Sequence, residues 1–272
     1  MAEDLTGPKA PEPPEKRRVY RFRFGAAYIA LAVVAGIGIG SSVMLIDRPA
    51  KEPELSWSSW QPAGSESTFD DQIADFVASS YRLPSNSPLV AVIPGPPAIS
   101  VGEAELTIRS VVIEDDPEGD RDGFRVVDVA DSRMYQLCGS GAQCSIGGAT
   151  PSAEQLRLVR REALELALYT FKYIDGTDTV ITLLPPNRGD TDNPDDDEAV
   201  ALFFERTAVR DELKQPLSRT LLSPNPPQAA ELDPRESLII DRLTESRLFI
   251  YQFQASLAGG AIMRLVRPTG VQ

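Results

Sequence analysis

Two carboxylates one helical turn apart, Glu162 and Glu165, are the side chains of this sequence best placed for acid–base chemistry. They lie in the run LRLVRREALELALYTFKYI, where Glu165 is the only acidic residue between Ala163 and Ile174. Burial among apolar neighbours raises a carboxyl pKa, which is how a glutamate becomes a general acid near neutral pH. The simpler reading is a charged stripe on an exposed helix face, with Arg161 four residues before Glu165 and Lys172 seven after it.

Other catalytic arrangements lack their parts. No His occurs in 272 residues, which removes Ser-His-Asp and Cys-His relays and His-ligated zinc. Beyond Ile46 the lysines are Lys51, Lys172 and Lys214, and no SxxK or GxSxG motif accompanies them. Neither GxGxxG nor GxxxxGK[ST] is present, so a nucleotide site has no support. A carboxylate-based hydrolase is the catalytic alternative. The leading expectation is a non-catalytic module with no cofactor and no resident metal.

Two loops invite ligand readings. The segment Asn187–Glu198, NRGDTDNPDDDE, starts like a calcium loop with Asp190 and Asp192. It departs where Pro194 takes the fifth place and Asp195 the place that requires Gly, so a solvated acidic loop is expected; the turn Glu114–Asp122 reads the same way. Gly139 to Gly148 precedes a long helix and could cradle an anion, but tight turns around a cysteine pair explain the glycines equally well. Cys138 and Cys144 are the only cysteines, and in an exported domain they are expected to form a disulfide.

The case for export rests on Phe24–Ile46, 23 residues without a charge. As a helix they would extend ~34 Å, enough to cross a bilayer core with some tilt. Lys16, Arg17, Arg18, Arg21 and Arg23 crowd the preceding flank, which places the N-terminus in the cytoplasm and the C-terminal part outside. The first small-x-small site after the span, Arg48-Pro49-Ala50, has Arg where a small residue belongs, so the span reads as an uncleaved signal anchor. Ala32, Gly36 and Gly40 recur every fourth residue and offer a face for homodimer packing through the helix. Residues 1–23 carry six basic and four acidic side chains, so the remainder holds −15 of a total of −13. Such an acidic outer region is not expected to bind nucleic acid.

The architecture expected is α+β: a disordered basic tail (1–23), a transmembrane helix (24–46), an extended linker (47–66) and one exported domain (67–268). In that domain a mixed sheet packs on a long central helix. Thr68 is read as the cap of a first helix bearing Phe69, Ile73, Phe76, Val77 and Tyr81. Strands follow at Leu89–Ile93, Glu105–Glu114, Phe124–Val129 and Met134–Cys138. Ser152 and Gln155 form a capping box for the long helix, which ends at Asp175-Gly176. A strand at Thr179–Leu184 then completes a crossover that sets two strands parallel. Ala199–Arg206 is a further strand, Asp233-Pro234-Arg235-Glu236 starts a helix, and Arg247–Gln254 with Ala261–Val266 form a hairpin. A split into two lobes near Pro151 is the alternative. Trp57 and Trp60 either anchor at the membrane interface or pack on the domain. The Arg-to-Lys ratio, 22 to 5, suggests a bacterial source. Together these features point to a single-pass plasma-membrane protein whose extracytoplasmic domain contacts an unknown envelope partner. An extracytoplasmic sensor or ligand-binding module is the second alternative.

Overall fold

A computed structural model describes residues 25–33, 56–97, 99–101, 104–114, 123–141, 144–146, 151–186, 199–223, 226, 228, 231–256 and 259–268. The chain divides into two units, Met1–Leu55 and Ser56–Gln272. In the first, residues 25–33 are helical, and Tyr28, Ile29, Leu31 and Val33 are exposed. Among the described residues no helix is long and apolar enough to cross a membrane. Phe24 and residues 34–46, including Gly36 and Gly40, lie outside the described residues, while Ala32 sits on the short helix.

The second unit is a mixed α+β fold. Helix α1 (Phe69–Ser80) leads into β1 (Ala91–Pro94), a small hairpin β2 (Ile99–Val101) and β3 (Ala104–Leu106), then β4 (Ile108–Glu114), β5 (Phe124–Asp128) and β6 (Ser132–Cys138). Helix α2 (Ala153–Tyr173) precedes β7 (Thr179–Leu183) and β8 (Val200–Glu205). A short α3 (Arg210–Lys214), α4 (Pro234–Thr244) and the hairpin β9 (Leu248–Ala255) and β10 (Ala261–Val266) complete it. One eight-stranded sheet has the order β1-β6-β7-β8-β9-β10-β4-β5, with β6 parallel to β7, β4 parallel to β10 and the remaining neighbours antiparallel.

The expected crossover is present: α2 joins β6 to its parallel neighbour β7, so the sheet runs unbroken across Pro151 and the two-lobe alternative fails. The capping box forms, with Gln155 N–H donating to Ser152 Oγ (3.2 Å) and Ser152 N–H to Gln155 Oε1 (2.9 Å). Arg206 closes the other end of α2, donating to the Phe171 and Ile174 carbonyls there and to the Thr177 carbonyl of the following loop. A cation there also complements the helix dipole.

The sheet curls on itself. β5 is the last strand at one end and β6 the second at the other, yet only Val129–Asp131 separate them. Ser132 Oγ donates to the Asp128 carbonyl (2.7 Å) and closes that turn. Arg125 of β5 reaches across to pair with Glu205 of β8 and lies over the Phe203 ring. The interior of the curl is filled by Ile113, Ile181, Phe203, Phe249, Met263 and Leu265, all buried. On the outer face of the β6–β8 half, α1, α2 and α4 cover a second core built on Val77, Leu137, Leu164, Ala167, Val180 and Phe204.

Several expectations need correction. The folded unit starts at Ser56 rather than 67, because residues 56–65 pack on it. Trp60 stacks on Phe76 (4.1 Å between centroids), Trp57 meets Tyr169 edge-on, and the Trp57 carbonyl accepts from Leu217 N–H (2.7 Å). The tryptophans are therefore domain residues, not interfacial anchors. Thr68 does not cap α1: a 3-10 turn at Glu66–Thr68 already precedes the helix, and its hydroxyl donates back to the Ser65 carbonyl (2.8 Å). The run expected at Glu105–Glu114 breaks at Thr107, whose carbonyl accepts from Ala261 N–H where β10 bulges. Leu89 and Val90, expected to begin a strand, instead fill the helix-side core just before β1.

Cys138 and Cys144 form the disulfide, at the end of β6. The adjoining glycines are required by close approach: a Cβ on Gly139 would lie 2.1 Å from the Ser145 carbonyl oxygen. Bridging cysteines six positions apart removes a short loop's closure entropy from the unfolded chain. The Cys138→Ser/Cys144→Ser variant is expected to lose about 2 kcal/mol. Its melting temperature should be lower than that of the oxidised wild type and indifferent to reductant.

Candidate functional site

The carboxylates singled out in the sequence lie inside the fold. Arg161 and Glu162 are fully buried and Glu165 is 8% exposed, so the exposed-stripe reading of α2 is overturned. The cause is packing on three sides: α1 and α4 lie against α2 and the sheet lies beneath it. A 21-residue helix enclosed in this way has no solvated face over its middle turns.

Arg161 is the centre of a buried polar network. Its Nε donates to Glu236 Oε1 of α4 (2.6 Å), its Nη2 to the Ser223 carbonyl (2.8 Å) and its Nη1 to Glu165 Oε2 (3.2 Å) and Tyr81 Oη. Tyr81, which follows α1, donates its hydroxyl to Glu165 Oε2 (2.6 Å). One guanidinium thus ties together the end of α1, the middle of α2, the start of α4 and the Ser223 loop. Burial opposes its charge, but Tyr81, Glu165 and Glu236 outweigh that and hold its pKa above the usual value. Burial raises the Glu165 carboxyl, with Arg161 and the Tyr81 hydroxyl pulling it back down.

Glu162 stands apart from this network. Neither of its carboxyl oxygens has a hydrogen-bond partner among the described residues. Burial, reinforced by the neighbouring Glu165 charge, pushes its pKa well above the ordinary carboxylate range. Burial without a partner disfavours the ionised form of such a carboxyl.

A general acid or nucleophile must reach its substrate, and Glu162 is fully buried while Glu165 is nearly so. Four surface cavities among the described residues are lined by neither Glu162 nor Glu165. The network ties α1, α2, α4 and the Ser223 loop together.

Three surface features remain. A groove of about 310 Å³ runs beside the first turns of α2, lined by Leu156, Val159, Leu184, Val200 and Leu248. Arg157 and Arg160 stand at its rim, both bonded to Asp241 of α4. The outer face of the β9–β10–β4–β5 half carries no helix among the described residues. There Phe124 (58% exposed) and Val126 (62%) project from edge strand β5. Val112 lies opposite Val126, and a two-pronged Arg264–Glu114 pair (2.8 Å for each bond) sits among them. The third feature is a polar cavity at the mouth of the curl.

The Gly139–Gly148 loop is not an anion cradle where it is described: Gly139 N–H donates to the Cys144 carbonyl and Gly141 N–H to the Ser145 carbonyl. The acidic loop 187–198 and residues 115–122 lie outside the described residues. Among the described residues no group of three or more Cys, Asp or Glu is placed to hold a metal ion. Sequence reasoning missed Tyr81 and Glu236 as network members. Their partner Arg161 is 80 and 75 positions away, and the one available signal was Glu236 in the first turn of a well-capped helix. Comparison with protein-family models, curated proteins and solved structures gave no match.

Proposed function

We propose that this chain is a single-pass membrane-anchored envelope protein whose outer domain is a non-catalytic interaction module. Its partner is an extended segment of another envelope protein that adds to β5, the last strand of the sheet among the described residues. The observation that carries the reading is the pair Phe124 and Val126, apolar and exposed on a sheet-edge strand. Sheet edges are ordinarily guarded by charge, and an apolar one suits strand addition. The commitment of Glu165 to Arg161 and Tyr81 supports the same reading by withdrawing the best catalytic carboxylate. The helix at 25–33, with its apolar side chains uncovered, supports anchoring in lipid.

The test is a pull-down of tagged full-length protein from membranes, comparing wild type with Phe124→Asp/Val126→Asp. Both positions are exposed, so the melting temperature should change little. Recovery of the partner is expected to fall at least about tenfold. Equal recovery from both proteins would contradict the assignment of β5.

The groove beside α2 favours a second reading, an extracytoplasmic ligand-binding module for a small apolar compound. On that reading Leu156→Trp, at a partly buried position of the groove, abolishes ligand-induced stabilisation and leaves partner recovery unchanged.

A further inference from the structure

One mouth of the curled sheet is framed by arginines. Arg125 at the start of β5, Arg247 just before β9 and Arg267 just after β10 line a cavity of about 320 Å³ together with Glu205, Phe203 and Phe249. The fold fixes each guanidinium. Arg125 pairs with Glu205 and lies 5.6 Å from the centroid of Phe203. Arg267 lies 4.8 Å from the centroid of Phe249 and donates to the Ser246 carbonyl (2.6 Å). Arg247 donates from Nη1 to the Leu243 carbonyl (2.6 Å) and from Nη2 to the Ala208 carbonyl (3.1 Å). The two phenylalanine rings meet edge to face at 6.1 Å, so the platform beneath Arg125 and Arg267 is itself packed.

Among the lining residues three guanidiniums face one carboxylate. The chain as a whole carries −13, so this mouth runs against its overall charge. Backbone carbonyls orient Arg247, and burial pushes its pKa down against the pull of the nearby Glu212 and Glu205 carboxylates. Guanidinium forks already pinned by stacking and hydrogen bonds lose little entropy on meeting an oxyanion and match its planar or tetrahedral oxygens. The volume is at the lower end of the range for small-molecule sites.

We propose that this mouth binds a small multivalent oxyanion, the phosphate- or carboxylate-bearing group of a soluble ligand. Glu205 occupies part of the site as a competing internal anion. Full-length protein in detergent is titrated with sodium phosphate, with citrate and with chloride at constant ionic strength, and its melting temperature is followed. The wild type is expected to melt higher with phosphate or citrate and not with chloride. A response to phosphate alone identifies a phosphate-bearing ligand, and a response to citrate alone a carboxylate. Arg125→Gln/Arg267→Gln should need at least about tenfold more anion for the same shift. Glu205→Gln should need severalfold less, because removing the internal carboxylate releases Arg125. The Glu205→Gln arm keeps the test decisive even if the double arginine variant folds poorly. No shift beyond chloride in the wild type, an unchanged response in the double variant, or weaker binding in Glu205→Gln overturns the proposal.

Discussion

Arg161→Met is expected to destabilise the protein by about 3–5 kcal/mol, the usual effect of removing one partner from a buried ionic cluster. The substitution leaves Glu236 in the core without its 2.6 Å donor and Glu165 with only the Tyr81 hydroxyl. It also severs the link from α2 to the Ser223 carbonyl. The fluorescence of Trp57 and Trp60, both packed on the domain, reports the unfolding midpoint. A coordinated replacement, Arg161→Met with Glu165→Leu and Glu236→Met, should recover most of the loss, because apolar groups of similar volume need no compensating charge. A network that clamps helices predicts this pattern of single loss and triple recovery. A loss below about 1 kcal/mol for Arg161→Met would show that the clamp contributes little.

The second large effect has the opposite sign. Glu162→Met should stabilise the protein at pH 7.5 by up to about 3 kcal/mol, since it removes a buried polar group that has no partner. The pH dependence follows from the direction of the Glu162 shift. Its folded pKa lies well above the ordinary value of 4.5. Between those two values the folded state binds more protons than the unfolded state, so stability falls as pH rises through that window. Below about pH 4.5 the carboxyl is neutral in both states and the stabilising contribution of protonation is complete. Glu165, also raised, acts in the same direction. The gain from Glu162→Met should therefore be largest at pH 7.5 and shrink towards pH 4. Melting curves of both proteins across that range check it, and a gain independent of pH would contradict the assignment.

Features written in local chemistry were legible in the sequence. Ser152 and Gln155 marked the start of α2, Asp233-Pro234 the start of α4, and the runs Arg247–Gln254 and Ala261–Val266 the final hairpin, because capping and pairing of neighbouring runs are local in sequence. The parallel crossover followed from a buried helix between two β-branched runs. The curl of the sheet did not, since it depends on β5 and β6 meeting from opposite ends and on Arg125 reaching Glu205 80 positions away. Glu162 was misread for a related reason. A sequence with Arg161, Glu165 and Lys172 around Glu162 reads as a solvated face, and only α1 and α4, brought from far along the chain, enclose it. The arginine mouth was invisible because its residues come from positions 125, 247 and 267 and converge only when the sheet curls.

Central to this reading is strand addition at β5, the edge strand that carries the exposed Phe124 and Val126. Its most direct test is a photocrosslinking amino acid placed at Phe124, Val126 or Leu238 in full-length protein in its own membrane. Leu238 on α4 is as exposed as the other two and serves as the control. The account predicts a discrete protein adduct from positions 124 and 126 and none from 238. Absence of adducts at 124 and 126, together with hydrolysis of a glycan or ester by the full-length protein that Glu165→Gln abolishes, would contradict it.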